Sequence, residues 1–255
     1  MAITIKTQEQ IEILREAGKI HATILDTLEK KVIPGVTAME LNNEAERLVR
    51  EAGAEPSFLN YQPDSSYPKY PASLCVSINN VIVHGIPTNE IVVNSGDLVS
   101  IDLGLKYKNM FTDSARTVIV GEVSKEAQQM VYDAREALAL GIQAAVVGNT
   151  VGDIGYAIES FNSKRYGNVK ELSGHGVGCA VHEDPYVPNY GKKGKGAVLK
   201  AGMVLAIEPM FNLGTSDVHF HDDKYTVTTA DGSLSAHVEH TILITEEGPE
   251  ILTEI

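Results

Sequence analysis

The chain has 255 residues, 43% of them apolar and 22% charged: ample for a sizeable core, yet short for two comfortable average domains. A net charge of −13 argues against nucleic acid or an anionic membrane surface as a partner, although carboxylates gathered around bound cations would inflate that count. The two cysteines, Cys75 and Cys179, cannot supply the disulfide framework of a secreted domain and read as free thiols. With a polar N-terminus and no stretch approaching a membrane span, they make the cytoplasm the expected location.

Thr7 followed by Gln10 is a capping-box start, and Ile11, Leu14, Ala17, Ile24 and Leu28 then recur at helical spacing, with Gly35 as the expected breaker. Thr37 with Glu40 opens a second helix through Leu41, Ala45 and Leu48, ended by Gly53. Strand-like runs follow at 74–83, 97–105 and 112–120. Ser124 then opens a long helix toward Gly148, and Thr150 with Asp153 caps another toward Gly167. Further strands are expected at 202–207, 225–229 and 235–245, with turn chemistry at Asn94-Ser95-Gly96-Asp97 and Asp231-Gly232 favouring antiparallel pairing.

The segments that begin at Gly35 and Gly148 agree in type at four of seven positions. Two capped helices can look alike by chance; the other reading is a duplicated helix–helix–sheet unit with halves at roughly 7–120 and 124–245. No low-complexity linker separates them, so a single domain over 1–255 is expected. Its class is α+β, with one curved antiparallel sheet and helices on its outer face.

Several acids stand where strand propensity argues against them. Asp102 lies in an apolar run and Asp113 eleven positions on. In a hairpin closed by a two-residue turn, opposed residues have numbers with an odd sum, so these two project from one face, opposite or diagonal to each other. Two buried carboxylates that close need a cation or a shared proton. Glu208 projects away from the face of Met203, Leu205 and Ile207, and Pro209 stops the ladder there. Glu239 lies opposite the face of Val238, Ile242 and Ile244. Taken singly, either could be a satisfied structural carboxylate. His175 sits among glycines in Gly174-His175-Gly176-Val177-Gly178, His182 follows seven residues on, and His84 ends a strand. Four carboxylates against two divalent cations make a nearly neutral cluster, and oxygen-rich ligation with one imidazole suits Mn, Fe, Co or Zn.

The segments Ser77-Ile78-Asn79, His84-Gly85-Ile86-Pro87, Gly96-Asp97, Asp113-Ser114, Gly174-His175-Gly176-Val177-Gly178, His182-Glu183, Ile207-Glu208-Pro209 and Glu239-His240-Thr241 occur in an order that resembles the type I methionine aminopeptidases, in their bacterial-style minimal form. The resemblance implies the pita-bread fold with an internal pseudo-twofold repeat. It implies hydrolytic removal of N-terminal methionine before a small second residue, from nascent proteins and peptides with a free N-terminus, and two divalent metal ions. By position it makes Asp102, Asp113, His175, Glu208 and Glu239 the ligands. Glu208, His84 and His182 would be catalytic, the two histidines also contacting substrate. Tyr61, Tyr70, Cys75 and Tyr225 would border the methionine pocket. Asn79, Val81 and Ser235 match backbone positions that hold a monovalent cation in some relatives. A monomer is expected, with ribosome association as an option for an enzyme of nascent chains.

Three features depart from the family pattern: a longer segment between Tyr61 and Tyr70, Val181 where a larger apolar side chain is common, and Tyr225 in place of Trp. The rival readings are a proline-specific aminopeptidase of the same fold, which normally carries a further N-terminal domain, and a non-enzymatic binding protein on this scaffold.

Overall fold

Capping residues place the starts of the four helices found among the described residues. The computed structural model describes residues 3–255. Thr7 and Gln10 exchange side-chain and backbone hydrogen bonds at the start of α1 (Gln8–Glu29), and Thr37 and Glu40 do the same for α2 (Ala38–Glu51). Ser124 Oγ accepts from the Ala127 N–H at the start of α3 (Lys125–Ala144). The Asp153 carboxylate accepts from the Thr150 N–H and hydroxyl at α4 (Val151–Asn162).

The helix ends differ from expectation. α1 stops at Glu29 and α3 at Ala144, ahead of Gly35 and Gly148. α4 stops at Asn162 with Ser163 in the left-handed conformation. Gly35 and Gly148 turn loops that have long-range partners. The Gly35 N–H donates to Val93 O and the Val93 N–H to Val36 O; the Gly148 N–H donates to Leu199 O and the Leu199 N–H to Asn149 O. Thr37–Val92 and Thr150–Val198 form matching isolated bridges. The resemblance read between these segments therefore extends to their hydrogen-bond partners.

All strand pairs are antiparallel, but the ladder is not continuous. Leu98–Tyr107 pairs with Met110–Ile119 and Leu74–Ile78 in a four-stranded sheet. His240–Thr245 and Val204–Ile207 lie in a five-stranded sheet with Gly174–Gly176 and Glu183–Val187. Two three-stranded sheets complete the described residues. The run at 74–83 divides because Asn79 adopts φ 58°, sending Val81–Val83 to pair with Val227–Thr229. The run at 235–245 divides at Val238 and Glu239: Ser235–His237 pairs with Met210–Asn212, while His240–Thr245 pairs with Val204–Ile207.

Hydroxyls join the two larger sheets where backbone pairing is interrupted. Thr241 Oγ1 accepts from the Asp113 N–H and donates to Asp113 O, Ser114 Oγ donates to Glu239 O, and the Glu239 N–H donates to Ala115 O at 2.9 Å. α1 and α2 cover one sheet through Leu25, Leu28, Leu41 and Val49, against Leu74, Ile101 and Leu103. α3 and α4 cover the other through Met130, Leu138, Ile154 and Ile158, against Leu205, Ile207 and Ile242. Each such side chain fully buried contributes about 1.5–3 kcal/mol. The helices thus lie outside and the acids face inward.

Candidate active site

The hairpin register fixes the first two acids. Tyr107 pairs with Met110 across a two-residue turn in which Lys108 and Asn109 both have positive φ. Asp102 then lies opposite Ala115, and Asp113 opposite Gly104. Glu208 and Glu239 come from matched breaks: Ile207 pairs with His240 and Met210 with His237, so Glu208-Pro209 and Val238-Glu239 face each other between two ladders. Proline has no N–H to continue the pairing.

One cavity of about 280 Å³ is lined by Asp102, Asp113, His175, Glu208 and Glu239, together with His84 and His182. Asp113, His175 and Glu239 present ligating atoms within 4.8 Å of one another, and all three are buried. His175 Nε2 lies 3.9 Å from Asp113 Oδ2 and 3.6 Å from Glu208 Oε1. His175 Nδ1 is 2.9 Å from Gly176 O, a carbonyl that can only accept, so Nδ1 carries the proton and Nε2 offers a lone pair to the acids. Asp102 Oδ1, Asp113 Oδ1 and Glu239 Oε1 are buried and find no hydrogen-bond partner among the described residues. Acceptors that converge in this way fit a bound cation.

Electrostatics agree with that. Burial pushes Asp102 up to about 7, with Glu208 adding to the effect and His237 opposing it. Burial and the neighbouring acids raise Asp113 and Glu239 well above the usual carboxylate range. Four acids here cannot all be charged without compensation.

His182 and His84 lie in the same cavity, and burial lowers both imidazoles below their ordinary value; His175 and His84 add to the effect at His182. The rings of His175 and His182 meet edge-on at 4.4 Å. His84 has φ 58°, directly after the strand Val81–Val83. Tyr61, Tyr70, Cys75 and Tyr225 form an apolar end of the cavity with Phe58. Burial raises the Cys75 thiol well above its usual value, so it acts there as a small apolar group. Val181 packs in that cluster too. Asn79 and Ser235 meet through the Ser235 N–H and Asn79 O at 2.8 Å, and Val81 pairs with Thr228 beside them.

Sequence reasoning passed over His237, which is buried with Nε2 3.3 Å from Glu208 Oε2. Burial works against its charge, but the contact with Glu208 outweighs that and raises its pKa. The signal was available, since His237 shares strand parity with Glu239. Phe58 and Phe220 were missed for want of any local pattern.

The chain matches metallopeptidase family M24 over residues 12–246. It is 44% identical over 252 residues to a methionine aminopeptidase of Clostridium acetobutylicum, covering 98% of each chain. The crystal structure of methionine aminopeptidase from Rickettsia prowazekii superposes with a TM-score of 0.94 at 38% identity, covering 99% of this chain and 100% of that one. A prolidase from Pyrococcus furiosus matches less well, with a TM-score of 0.78 at 27% identity; the match takes in 98% of this chain but 65% of that one.

Proposed function

This chain belongs to metallopeptidase family M24 and, within it, to the bacterial type I methionine aminopeptidases, and we propose that two divalent cations held by Asp102, Asp113, His175, Glu208 and Glu239 serve its reaction. It has the pita-bread fold of that family, depends on divalent metal, and removes N-terminal methionine from peptide substrates. The observation that supports the ligand set is the single cavity lined by all five side chains, in which Asp102, Asp113 and Glu239 each keep a buried carboxylate oxygen without a partner among the described residues. The whole chain reads as one catalytic unit.

Asp102, Asp113, His175, Glu208 and Glu239 would hold the cations, which would offset the charge of the acids and supply Lewis acidity to the scissile carbonyl and the attacking water. Glu208 takes a proton from that water as its oxygen bonds to the carbonyl carbon, and returns it to the departing amine nitrogen as the C–N bond breaks. His84 and His182 donate hydrogen bonds to the reacting peptide, strongest when negative charge develops on its carbonyl oxygen. The methionine side chain enters the end of the cavity formed by Tyr61, Tyr70, Cys75 and Tyr225, and a small second residue is preferred.

Among Co, Mn, Fe and Zn, the oxygen-rich set with one imidazole does not choose. The finer reading is a cytoplasmic monomer that meets nascent chains at the ribosome, with a monovalent cation at the Asn79, Val81 and Ser235 carbonyls. Among the described residues no helix is long and apolar enough to cross a membrane. The test is hydrolysis of Met-Ala-Ser by chelated protein before and after addition of Mn²⁺ or Co²⁺, beside an Ala-Pro peptide. Cleavage of Met-Ala-Ser restored by metal is the expected result; equal activity in chelated protein, or preference for the proline peptide, would refute it.

A further inference from the structure

Residues 61–70 form a loop closed at its neck, where the Asn60 N–H donates to Tyr70 O at 2.9 Å and the Tyr70 N–H to Tyr61 O at 2.8 Å. A clasp from a distant part of the chain holds it. The Tyr225 hydroxyl lies 2.5 Å from Pro68 O and 3.1 Å from Tyr61 O, one proton shared between two carbonyls. The Tyr225 ring also meets Tyr67 and Tyr70 edge-on, at 6.0 and 5.0 Å. The loop is thereby pinned at both ends, and it carries Tyr61 with its hydroxyl 2.7 Å from His182 Nδ1.

A neutral histidine has two tautomers, and the partner of one ring nitrogen decides which nitrogen keeps the proton. We propose that Tyr61 is a positioning residue whose hydroxyl donates to His182 Nδ1, so that the imidazole proton resides on Nε2 and His182 reaches the peptide as an N–H donor. A phenol O–H is a good donor, and the bare nitrogen of a neutral imidazole accepts better than a phenol oxygen. Burial pushes Tyr61 above its ordinary value, so the phenol keeps its proton at neutral pH. The ring of Tyr61 meanwhile lines the apolar end of the cavity. One residue therefore touches both the side-chain pocket and the hydrogen-bonding histidine, and Tyr225 holds it there through the loop.

This inference rests on the reading of His182 as a donor to the reacting peptide. It is tested on zinc-loaded enzyme with ¹⁵N-labelled histidine, by long-range proton–nitrogen NMR, taking the His182 signals as those lost in His182→Gln. The wild type should show a protonated Nε2 and a hydrogen-bonded, unprotonated Nδ1. Tyr61→Phe keeps the ring, so KM for Met-Ala-Ser and zinc content should hold while kcat falls about five- to ten-fold, the effect of one orienting hydrogen bond. Its Nδ1 signal should move toward that of a free nitrogen. Tyr225→Phe keeps the ring contacts and removes the clasp, and should both lower kcat and raise KM. A proton on Nδ1 in the wild type, or wild-type kcat in Tyr61→Phe, would overturn the inference. Failure of the wild type to cleave methionyl peptides with Mn²⁺, Co²⁺ or Zn²⁺ would refute the functional reading instead, and the NMR pattern of the zinc-loaded protein would still decide the tautomer.

Discussion

Asp102 and Asp113 stand one diagonal step apart on the same face of a hairpin, because Asp102 faces Ala115 and Asp113 faces Gly104. Each has an oxygen without a partner among the described residues, and both are pushed up by burial. Without metal, the pair destabilises the fold at neutral pH. Asp113→Asn should therefore raise the melting temperature of chelated protein while abolishing turnover with Mn²⁺ or Co²⁺. Glu239→Ala should likewise abolish metal-dependent turnover. Calorimetry of chelated and loaded samples measures the stabilities and a peptide-hydrolysis assay the turnover; a loaded Asp113→Asn variant stabilised by metal as much as wild type would contradict the ligand assignment.

Substrate choice follows from a pocket with one apolar end. Met-Gly and Met-Ala peptides should be cleaved, Met-Lys and Met-Phe hardly, and N-acetylated peptides not at all, since the free amine is lost. Comparable rates on peptides with Leu in second place, read by mass spectrometry of the products, would mean that the pocket is wrongly placed.

Glu208, His182 and His84 are expected to separate metal content from rate. Glu208→Gln is nearly isosteric but cannot accept the water's proton, so kcat should collapse with some metal retained. His182→Ala and His84→Ala should each lower kcat by roughly 10²–10³, the scale for losing one such donor, with metal stoichiometry unchanged. Histidine variants that lose metal instead of rate would show them to be ligands.

Acid stability turns partly on His21, which is fully buried in α1 with Nδ1 2.9 Å from Thr112 Oγ1. Burial, with Arg116 and His240 nearby, holds it down to about 3, against about 6.5 in the unfolded chain. A depressed pKa means that only the unfolded chain takes up this proton between those values. The stability is fully present above pH 6.5 and falls by about 1.4 kcal/mol per pH unit below it. His21→Gln, which does not titrate, should be less stable than wild type at pH 7.5, and that gap should shrink by about 2 kcal/mol at pH 5. Urea denaturation at the two values checks it. His240, held down to about 4 by burial and Arg116, adds a second contribution of the same sign.

Lys6 and Glu183 form a buried ion pair at 2.7 Å, and Glu183 also accepts from the Cys179 and Ala180 N–H groups, next to His182. Removing one partner of a buried pair leaves the other charge without compensation. Lys6→Met should cost about 3–5 kcal/mol, and Lys6→Met with Glu183→Gln should recover part of it. Denaturant midpoints of the three variants decide; an additive double variant would show that the two do not interact.

What the sequence determined by itself was local or periodic. The capping pairs Thr7–Gln10, Thr37–Glu40 and Thr150–Asp153 satisfy helix-end donors within three residues, so composition at those positions suffices. The parity that put Asp102 and Asp113 on one face needs only the two-fold repeat of a strand and a two-residue turn. The acids and histidines of the site were legible because charge is costly in apolar strands, so each stood out from its neighbours. Tertiary structure alone decided the rest. Where α1 ends depends on Val93, which takes the hydrogen bonds of the Gly35 loop from elsewhere in the chain. The breaks at Asn79 and at Val238-Glu239 arise where a strand changes partners, and pairing with strands distant in the chain leaves little trace in either segment. The same holds for Tyr61 on His182 and Lys6 on Glu183, contacts between side chains far apart in the chain; for His237 strand parity with Glu239 hinted at the site, but its contact with Glu208 was decided by the tertiary structure.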